Sequence, residues 1–318
     1  MRCASFSVLF ALGLLTSLVG QAQTQVGLRI DHKAGQAEVE APLSVSTPAG
    51  ESVDIDRLEY YLSSFVLIHD GGQQTAIEGA YVLADAFVDQ VHPLGEVSGV
   101  ENVEGLMFNV GIDPDNNHAD PAAWPADHPL APQVPSMHWG WAAGYRFIAL
   151  EGGTSEATLE IHALGDDNHT AGEMEVLAGI ENGVLVLDVE ADVLGFFHLL
   201  TVGSGLINHG ETEEAILVCN NLADRVFRLP GAAGIADDAP ARTEVVLVPV
   251  TGGAEVRFSH PQFRDGAWTL LDVLGRPLMT GRIPEGSNAV RLSDLPSGGF
   301  LLMLDLADGR TTRRWIQG

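Results

Sequence analysis

Apolar and polar residues alternate along much of this chain, which is the pattern of strands that bury one face. Two early stretches, 24–42 and 44–70, contain VGLRIDH and VDIDRLEYYLSSFVLIHD. The second stretch is also compatible with a short helix at its beginning. Further short segments rich in Val, Ile, Phe and Tyr follow, separated by Gly, Pro, Asn and Asp: AYVLADAF, GLMFNVGI, GYRFIALEG, ATLEIHAL and GVLVLDVEADVL.

These segments predict an all-β fold, an antiparallel β-sandwich or barrel-like domain with one short helix. Alternating βαβ units fit less well, because the strand candidates follow one another without helical segments between them. The helix is predicted near 211–227, where ETEEAILVCNNLADRVF has apolar residues at helical spacing and an acidic first turn.

The chain of 318 residues divides into four predicted parts. Residues 1–22 have a basic start, an apolar run and a small residue at the end, which is typical of a secretory signal peptide. Residues 23–230 form the main β-domain, and 231–243 form a linker of small residues with Pro and Gly. Residues 244–318 carry short strands and turns, which predict a small β-sandwich. No later segment is apolar enough to span a membrane, so we expect an exported, soluble protein without membrane insertion.

Charge is distributed unevenly between these parts. Residues 23–232 contain 33 Asp and Glu against 6 Lys and Arg, whereas 233–318 contain 10 against 9. Because binding to phosphates needs clustered basic side chains, the acidic part is not expected to bind nucleic acid. It should attract cations or basic partners. After removal of Cys3 with the signal peptide, Cys219 is expected to be a buried, inert thiol in the predicted helix.

Histidines cluster in the middle of the chain. Three of them lie about ten residues apart in a Pro-rich loop, and two more lie in and just after the strand candidate ATLEIHAL. The five are His118, His128, His138, His162 and His169. Neutral imidazole is a ligand for copper, zinc, iron or nickel. A hairpin-like return of the chain would bring His162 beside the loop. The alternative for each histidine alone is an ordinary surface or hydrogen-bonded core residue.

Three of the five tryptophans, Trp124, Trp139 and Trp141, lie in the same loop. In an extended HWGW segment, Trp139 and Trp141 would point to one face. The alternative is an aromatic core patch with Tyr145 and Phe147. An unmodified indole is a poor metal ligand, because its N–H is only a donor.

The segment GIDPDNNHADPAAWPADHPLAPQVPSMHWGWAAGYRFIALEG resembles the signature region of the MbnP-like family, copper-binding proteins associated with methanobactin operons and similar to surface copper proteins of methanotrophs. Supporting pieces are LEYYLSSFVLI, EIHALGDD, GFFHLL and NHGETEEAILVCNNLADRVF, and the likeness spans roughly 24–230. The resemblance implies a secreted β-rich domain that binds one copper ion through histidines. It also implies a tryptophan oxidised to kynurenine by a di-haem peroxidase-like partner.

Carried over to this chain, the resemblance places the ligands among His118, His138 and His162, with His128 and His169 as reserves. Trp139 is the first candidate for modification, followed by Trp141 and Trp124. The residues do not indicate which histidines converge.

The C-terminal part resembles the sorting domain of type IX secretion substrates. LLDVLGRPLMTG is followed by RLSDLPSGGFLLMLDLADGRTTRRWIQG, and the matching positions are Asp272, Gly275, Arg276, Leu295, Gly298, Gly299, Phe300, Arg313 and Arg314. The resemblance implies that this part is a sorting signal recognised by the type IX secretion machinery. A methanobactin context does not include such a tail, so a methanobactin link is not expected here.

The sequence therefore favours a secreted copper-binding protein that acquires or handles copper at the cell surface and is not an enzyme. The alternative is a metal-free extracellular β-sandwich module for interaction or adhesion. A copper or zinc enzyme would need an open coordination position and a general base, for which Asp120 or Asp127 is available. Asp113, Asp115 and Asn117 resemble the start of a calcium loop, but an EF-hand fails because His118 and Trp124 replace its Gly and Glu. Another oxygen-lined calcium site nearby remains an alternative.

Overall fold

A computed structural model describes residues 23–231 and, beyond them, 245–250, 253–258, 266–272, 276–283, 289–293, 298–306 and 309–317. The predicted signal peptide, and the predicted linker apart from Gly231, lie outside these residues. Among the described residues, no helix has the length and apolar character needed to cross a membrane.

Strands dominate the described N-terminal part. In chain order they are Gln23–Ala34 (β1), Ala37–Glu38 (β2), Leu43–Ser46 (β3), Ser52–His69 (β4), Gln73–Asp85 (β5), Val91–Ser98 (β6), Val103–Val110 (β7), Ile148–Gly153 (β8), Thr158–Ala163 (β9), Thr170–Met174 (β10), Leu177–Glu181 (β11), Val184–Asp192 (β12), Leu206–Gly210 (β13) and Phe227–Arg228 (β14). The all-β prediction is confirmed. The second early stretch is strand from Ser52 to His69, so the alternative of a helix at its beginning is wrong.

Helical structure is short. An α-helix spans Pro114–Asn117 (α1), and the predicted helix near 211–227 is found as Glu214–Asn221 (α2), continued by a π-helical turn at Leu222–Val226. Short 3-10 turns occur at Pro121–Ala123, Asp166–Asn168 and Val193–Phe197. Cys219 lies in α2 with no exposed surface, in agreement with the predicted buried thiol.

The strands form two sheets. One runs β11-β12-β1-β2, with β14 beside β12 and β6 beside β1, and the other runs β10-β7-β4-β8-β9-β13, with β3 and β5 beside β4. Most neighbours are antiparallel, as predicted, but β1 pairs with β12 and β9 pairs with β13 in parallel. The long strand β4 pairs with β3 and β8 mainly along its first half and with β5 and β7 mainly along its second half. Its register against β5 shifts between Ser63 and Phe65, where Ser64 has a φ of 55°.

The apolar core consists of side chains from both sheets. Leu28 of β1 and Leu187 of β12 belong to the same buried cluster as Leu62, Leu150 and Ile161 of the other sheet. Each of these residues is completely buried. Because side chains alternate along a strand, the remaining positions of β8 and β9 point away from this core and are free to carry polar groups.

The C-terminal part is also built of strands. They are Val245–Val250 (β15), Gly253–Phe258 (β16), Gly266–Asp272 (β17), Pro277–Ile283 (β18), Ala289–Ser293 (β19), Gly298–Leu306 (β20) and Gly309–Gln317 (β21). They form sheets of order β15-β16-β19 and β18-β17-β20-β21. The described residues of this part therefore lie almost entirely in strands, whereas a role in type IX sorting stays a prediction. The motif positions Gly275 and Leu295 lie outside the described residues.

Candidate metal centre

Strand register brings three potential ligands to one face of the second sheet. His209 of β13 is the direct parallel partner of His162 of β9. Glu160 is two residues before His162 and therefore lies on the same face of β9. The intervening Ile161 points the other way into the core, where it is completely buried. The sheet thus fixes the backbone positions of all three side chains.

The three side chains converge. The rings of His162 and His209 stack with centroids 4.6 Å apart and an angle of 15° between their planes. The Glu160 carboxylate lies 3.0 Å from Nε2 of His209 and 3.7 Å from Nδ1 of His162. Within the described part of the chain, this is the group of three histidine, cysteine or carboxylate side chains whose ligand atoms all lie within 4.8 Å of one another.

An aromatic side chain covers this cluster from the loop 111–147, which connects β7 to β8. The ring of Trp139 lies 5.2 Å from the ring of His162 and 5.0 Å from that of His209, centroid to centroid. The guanidinium carbon of Arg146 lies 4.4 Å above the Trp139 ring, in cation–π geometry. As a result, only 3% of His162 remains exposed.

The HWGW segment is held in a turn. Gly140 has a φ of 101° and Gly144 a φ of 74°, and Trp139 N donates to Gly144 O over 2.9 Å. The extended conformation that would put Trp139 and Trp141 on one face is therefore wrong. Trp139 is 40% exposed and Trp141 is 70% exposed, so neither joins Tyr145 and Phe147 in the core.

Hydrogen bonds from two buried tyrosines hold the loop in place, Tyr61 from strand β4 and Tyr145 from within the loop itself. The Tyr61 hydroxyl donates to Pro129 O over 2.9 Å, and the Tyr145 hydroxyl donates to Leu130 O over 2.6 Å. Asn117, completely buried, accepts a bond from the Tyr145 backbone N–H over 2.8 Å. Because buried polar groups are costly to leave unpaired, these bonds define the path of the loop and hence the position of Trp139.

The surroundings of the cluster favour a neutral His162 and an ionised Glu151. Burial lowers the pKa of His162, and the nearby Arg146 acts in the same direction, against the hydrogen bond to Glu151. Burial raises the pKa of Glu151, but the hydrogen bond from His162 and the charge of Arg57 outweigh it, so that this pKa lies below its usual value. Neutral imidazole and ionised carboxylate are the forms that bind metals.

One observation indicates that these three side chains suit a metal ion. Nδ1 of His162 is a buried nitrogen without a hydrogen-bond partner. A buried polar atom of this kind is costly unless something pairs with it. Two imidazoles with a carboxylate suit copper, zinc, iron or nickel, and the donor types alone do not choose among these metals.

Of the five histidines predicted as ligands, the structure brings His162 into this cluster. The predicted hairpin of β8 and β9 does place it beside the loop. His118 and His138 lie near each other elsewhere: Nδ1 of His118 contacts Trp141 O at 2.9 Å, and His138 packs on the Tyr145 ring at 4.8 Å. Nε2 of His138 is also buried without a partner.

The two reserve histidines lie in different surroundings. His128 stacks on Trp124 with centroids 4.2 Å apart, and its Nδ1 accepts a bond from Leu130 N over 3.1 Å. His169 is held between Ser63 and Asn109, each at 3.2 Å. These contacts give both histidines a structural role, His128 within the loop and His169 against the sheet.

Sequence reasoning missed Glu160 and His209. The alternation in ATLEIHAL placed Glu160 and His162 on one face, which was an available signal. His209 lies in NHGE, a segment that was noted only for its resemblance. The calcium suggestion gains no support, because Asn117 donates to Asp166 over 2.7 Å and Asp113 accepts from the Tyr81 hydroxyl.

Comparison with known proteins gives one family match. A family model described as MbnP matches residues 23–213, which is more than half of the chain. Among solved structures, MbnP from Methylosinus trichosporium is similar with 17% identity and a TM-score of 0.40, covering 59% of this chain and 80% of that one. A biofilm-associated protein, BSP domain, is similar with 7% identity and a TM-score of 0.16, covering 96% of this chain and 53% of that one. No curated protein matches the chain. The two structural likenesses are too weak to support an inference, so the family match stands alone.

Proposed function

This chain belongs to the MbnP family, and from that premise we propose that it binds one copper ion through His162, His209 and Glu160. Family membership indicates a copper-related role, and the cluster supplies ligands for it. The proposed role is acquisition or handling of copper at the cell surface.

One observation carries the proposal. The buried Nδ1 of His162 has no hydrogen-bond partner, yet it lies beside a second imidazole and a carboxylate. A metal ion would pair with this nitrogen and remove the cost of leaving it unpaired. The acidic domain, with 33 acidic against 6 basic residues in 23–232, would raise the local concentration of cations around the site.

Trp139 is the tryptophan that we propose for oxidation to kynurenine. It contacts both histidine rings and is 40% exposed, so a partner protein can reach it. The conversion breaks the C2–C3 double bond of the indole ring and places an oxygen atom on each carbon, which is a four-electron oxidation. Two equivalents of hydrogen peroxide, consumed by a di-haem peroxidase-like partner and reduced to water, would supply the oxygen atoms and accept the electrons. Hydrolysis of the N-formyl group then releases C2 as formate. The carbonyl and amine that the conversion creates would add ligands beside His162 and His209.

The remaining features fit a binding protein exported from the cell. We propose removal of the signal peptide at 1–22 and recognition of 244–318 by the type IX secretion machinery. We propose a binding role without enzymatic activity, because the Trp139 ring and the Arg146 guanidinium lie over the cluster. The centre would hold its ion and release it to a partner.

The proposal is tested by metal analysis of two matched double variants. His162→Ala with His209→Ala should abolish stoichiometric copper binding while circular dichroism and the urea midpoint stay close to those of the wild type. His118→Ala with His138→Ala should retain copper. The opposite result, copper lost only from the second variant, would transfer the site to the loop histidines and refute the assignment to the strands.

Mass spectrometry of the peptide containing Trp139, taken from protein purified from its native host, tests the modification. An oxidised Trp139 with intact Trp141 is expected. Intact tryptophans together with bound copper would remove the modification from the proposal and leave the metal site.

A metal-free interaction module is the second candidate, and one observation favours it. Val134 is 98% exposed and Trp141 is 70% exposed, so the loop presents apolar surface to solvent. Absence of bound copper after loading, with binding partners lost in Trp141→Ala, would favour this role over the copper site.

A further inference from the structure

We propose that Glu151, held in place by Arg57, is a positioning residue that fixes the tautomer of His162. The metal would then bind Nδ1 of His162 and leave Nε2 as a donor to Glu151. This inference deepens the proposed function and rests on it for the identity of the metal. The tautomer itself is a property of the metal-free protein.

The hydrogen bond between His162 and Glu151 determines which ring nitrogen carries the proton. Nε2 of His162 lies 2.8 Å from a Glu151 carboxylate oxygen. An ionised carboxylate can only accept hydrogen bonds, so Nε2 must carry the proton. In a neutral ring, Nδ1 then has the free lone pair. Nδ1 is the nitrogen that is buried without a hydrogen-bond partner.

Arg57 keeps Glu151 charged and in position. One guanidinium nitrogen lies 2.7 Å from Glu151, and another lies 2.5 Å from Glu59. Only 11% of the Arg57 side chain is exposed. The register explains this contact, because Arg57 of β4 is directly opposite Glu151 of β8. A planar guanidinium between two carboxylates restricts the rotation of both.

A second carboxylate competes for the same ring. Glu160 lies 3.7 Å from Nδ1, which is too long for a hydrogen bond but close enough to become one after a small movement. Glu160 is also directly opposite Glu151 in the ladder of β8 and β9. Without Glu151, a proton on Nδ1 would find an acceptor in Glu160. The tautomer therefore depends on which carboxylate is the better partner, and the structure gives Glu151 the shorter contact.

This arrangement has a consequence for metal binding. A histidine that donates its second N–H to a carboxylate is fixed in orientation and becomes a more basic ligand, and loss of that partner costs roughly 10–100-fold in metal affinity. If Nδ1 carried the proton, it would have to be removed before the metal could bind. Glu151 thus prepares the ligand before the ion arrives.

The test begins with long-range proton–nitrogen correlation spectra of the histidine rings in the metal-free protein. The His162 signals are assigned by their loss in His162→Ala. We expect the Nε2–H tautomer in the wild type, and a shift to Nδ1–H or to a mixture in Glu151→Ala. Glu151→Gln keeps an acceptor oxygen and should keep the wild-type pattern. Glu59→Ala is the matched control. Glu59 also forms an ion pair with Arg57, but the contacts of the described residues include none between Glu59 and His162.

Copper competition titrations on the same variants complete the test. Glu151→Ala should weaken binding by roughly 10–100-fold, whereas Glu59→Ala should stay close to the wild type. An Nδ1–H tautomer in the wild type, or unchanged tautomer and affinity in Glu151→Ala, would overturn the inference. Copper that fails to bind the wild type would overturn the proposed function instead, and the nitrogen spectra would still report the tautomer.

Discussion

Replacement of Gly144 by alanine should destabilise the loop that holds Trp139 over the histidines. Gly144 has a φ of 74°, a conformation that costs an alanine about 1–2 kcal/mol. A Cβ atom there would lie 2.4 Å from Oδ1 of Asn117. That oxygen accepts the bond from Tyr145 N over 2.8 Å, and the same amide donates to Asp166 over 2.7 Å.

The magnitude follows from these contacts. Asn117 is completely buried, so it cannot move away without breaking hydrogen bonds in the interior. A buried group left unpaired costs about 1–3 kcal/mol. Added to the backbone strain, this gives an expected loss of about 2–5 kcal/mol for Gly144→Ala.

Gly140→Ala is the matched control for this experiment. Gly140 has a φ of 101°, and a Cβ atom there would have no neighbour within 4 Å. It should therefore lose only the backbone component, about 1–2 kcal/mol. Urea unfolding with an unchanged m-value measures the free energy of unfolding of both variants. If Gly144→Ala loses no more than Gly140→Ala, the contact between Gly144 and Asn117 does not hold the loop, and the reasoning is refuted.

Three further predictions follow from burial and charge. Burial lowers the pKa of both His32 and His92 to about 4, below the ordinary 6.5. Because the unfolded chain binds more protons between these two pH values, the free energy of unfolding should fall as the pH is lowered from about 6.5 to 4, by up to roughly 3 kcal/mol per histidine. Urea midpoints of the wild type and of His32→Gln between pH 7 and 4 test this, and an equal dependence on pH in both proteins would contradict it. Burial also raises the pKa of the Cys219 thiol, so a thiol reagent should label it only after unfolding, and rapid labelling of the native protein would contradict its burial. Arg146→Ala should expose Trp139 by removing the guanidinium that lies 4.4 Å above its ring, which acrylamide quenching of tryptophan fluorescence measures against Arg225→Ala, and equal quenching in the two variants would contradict the contact.

Local patterns in the sequence predicted the elements of the fold. Alternation identified β4, β8, β9 and β12, and helical spacing with acidic residues identified α2. These predictions succeeded because each depends on residues close together in the chain, whose periodicity reflects a face that must be buried. The short strands β11 and β13 were missed, since five residues with exposed positions carry little periodic signal.

The candidate site was predicted only in part. The density of histidines in the loop drew attention to His118 and His138, which share that loop but do not join the strand cluster. His162 was recognised because it follows the loop on a predicted strand. Proximity in sequence therefore identified the region and one residue of the candidate site.

The sequence by itself determined the strands, their buried faces and the placement of Glu160 and His162 on one side of β9. Only the tertiary structure decided that His209 lies next to His162, that Trp139 covers both rings, and that Glu151 reaches Nε2. The physical reason is that β9 and β13 pair in parallel across a long connection. Such pairing is selected by packing of both faces of the sheet and by backbone hydrogen bonds, neither of which leaves a trace in local periodicity.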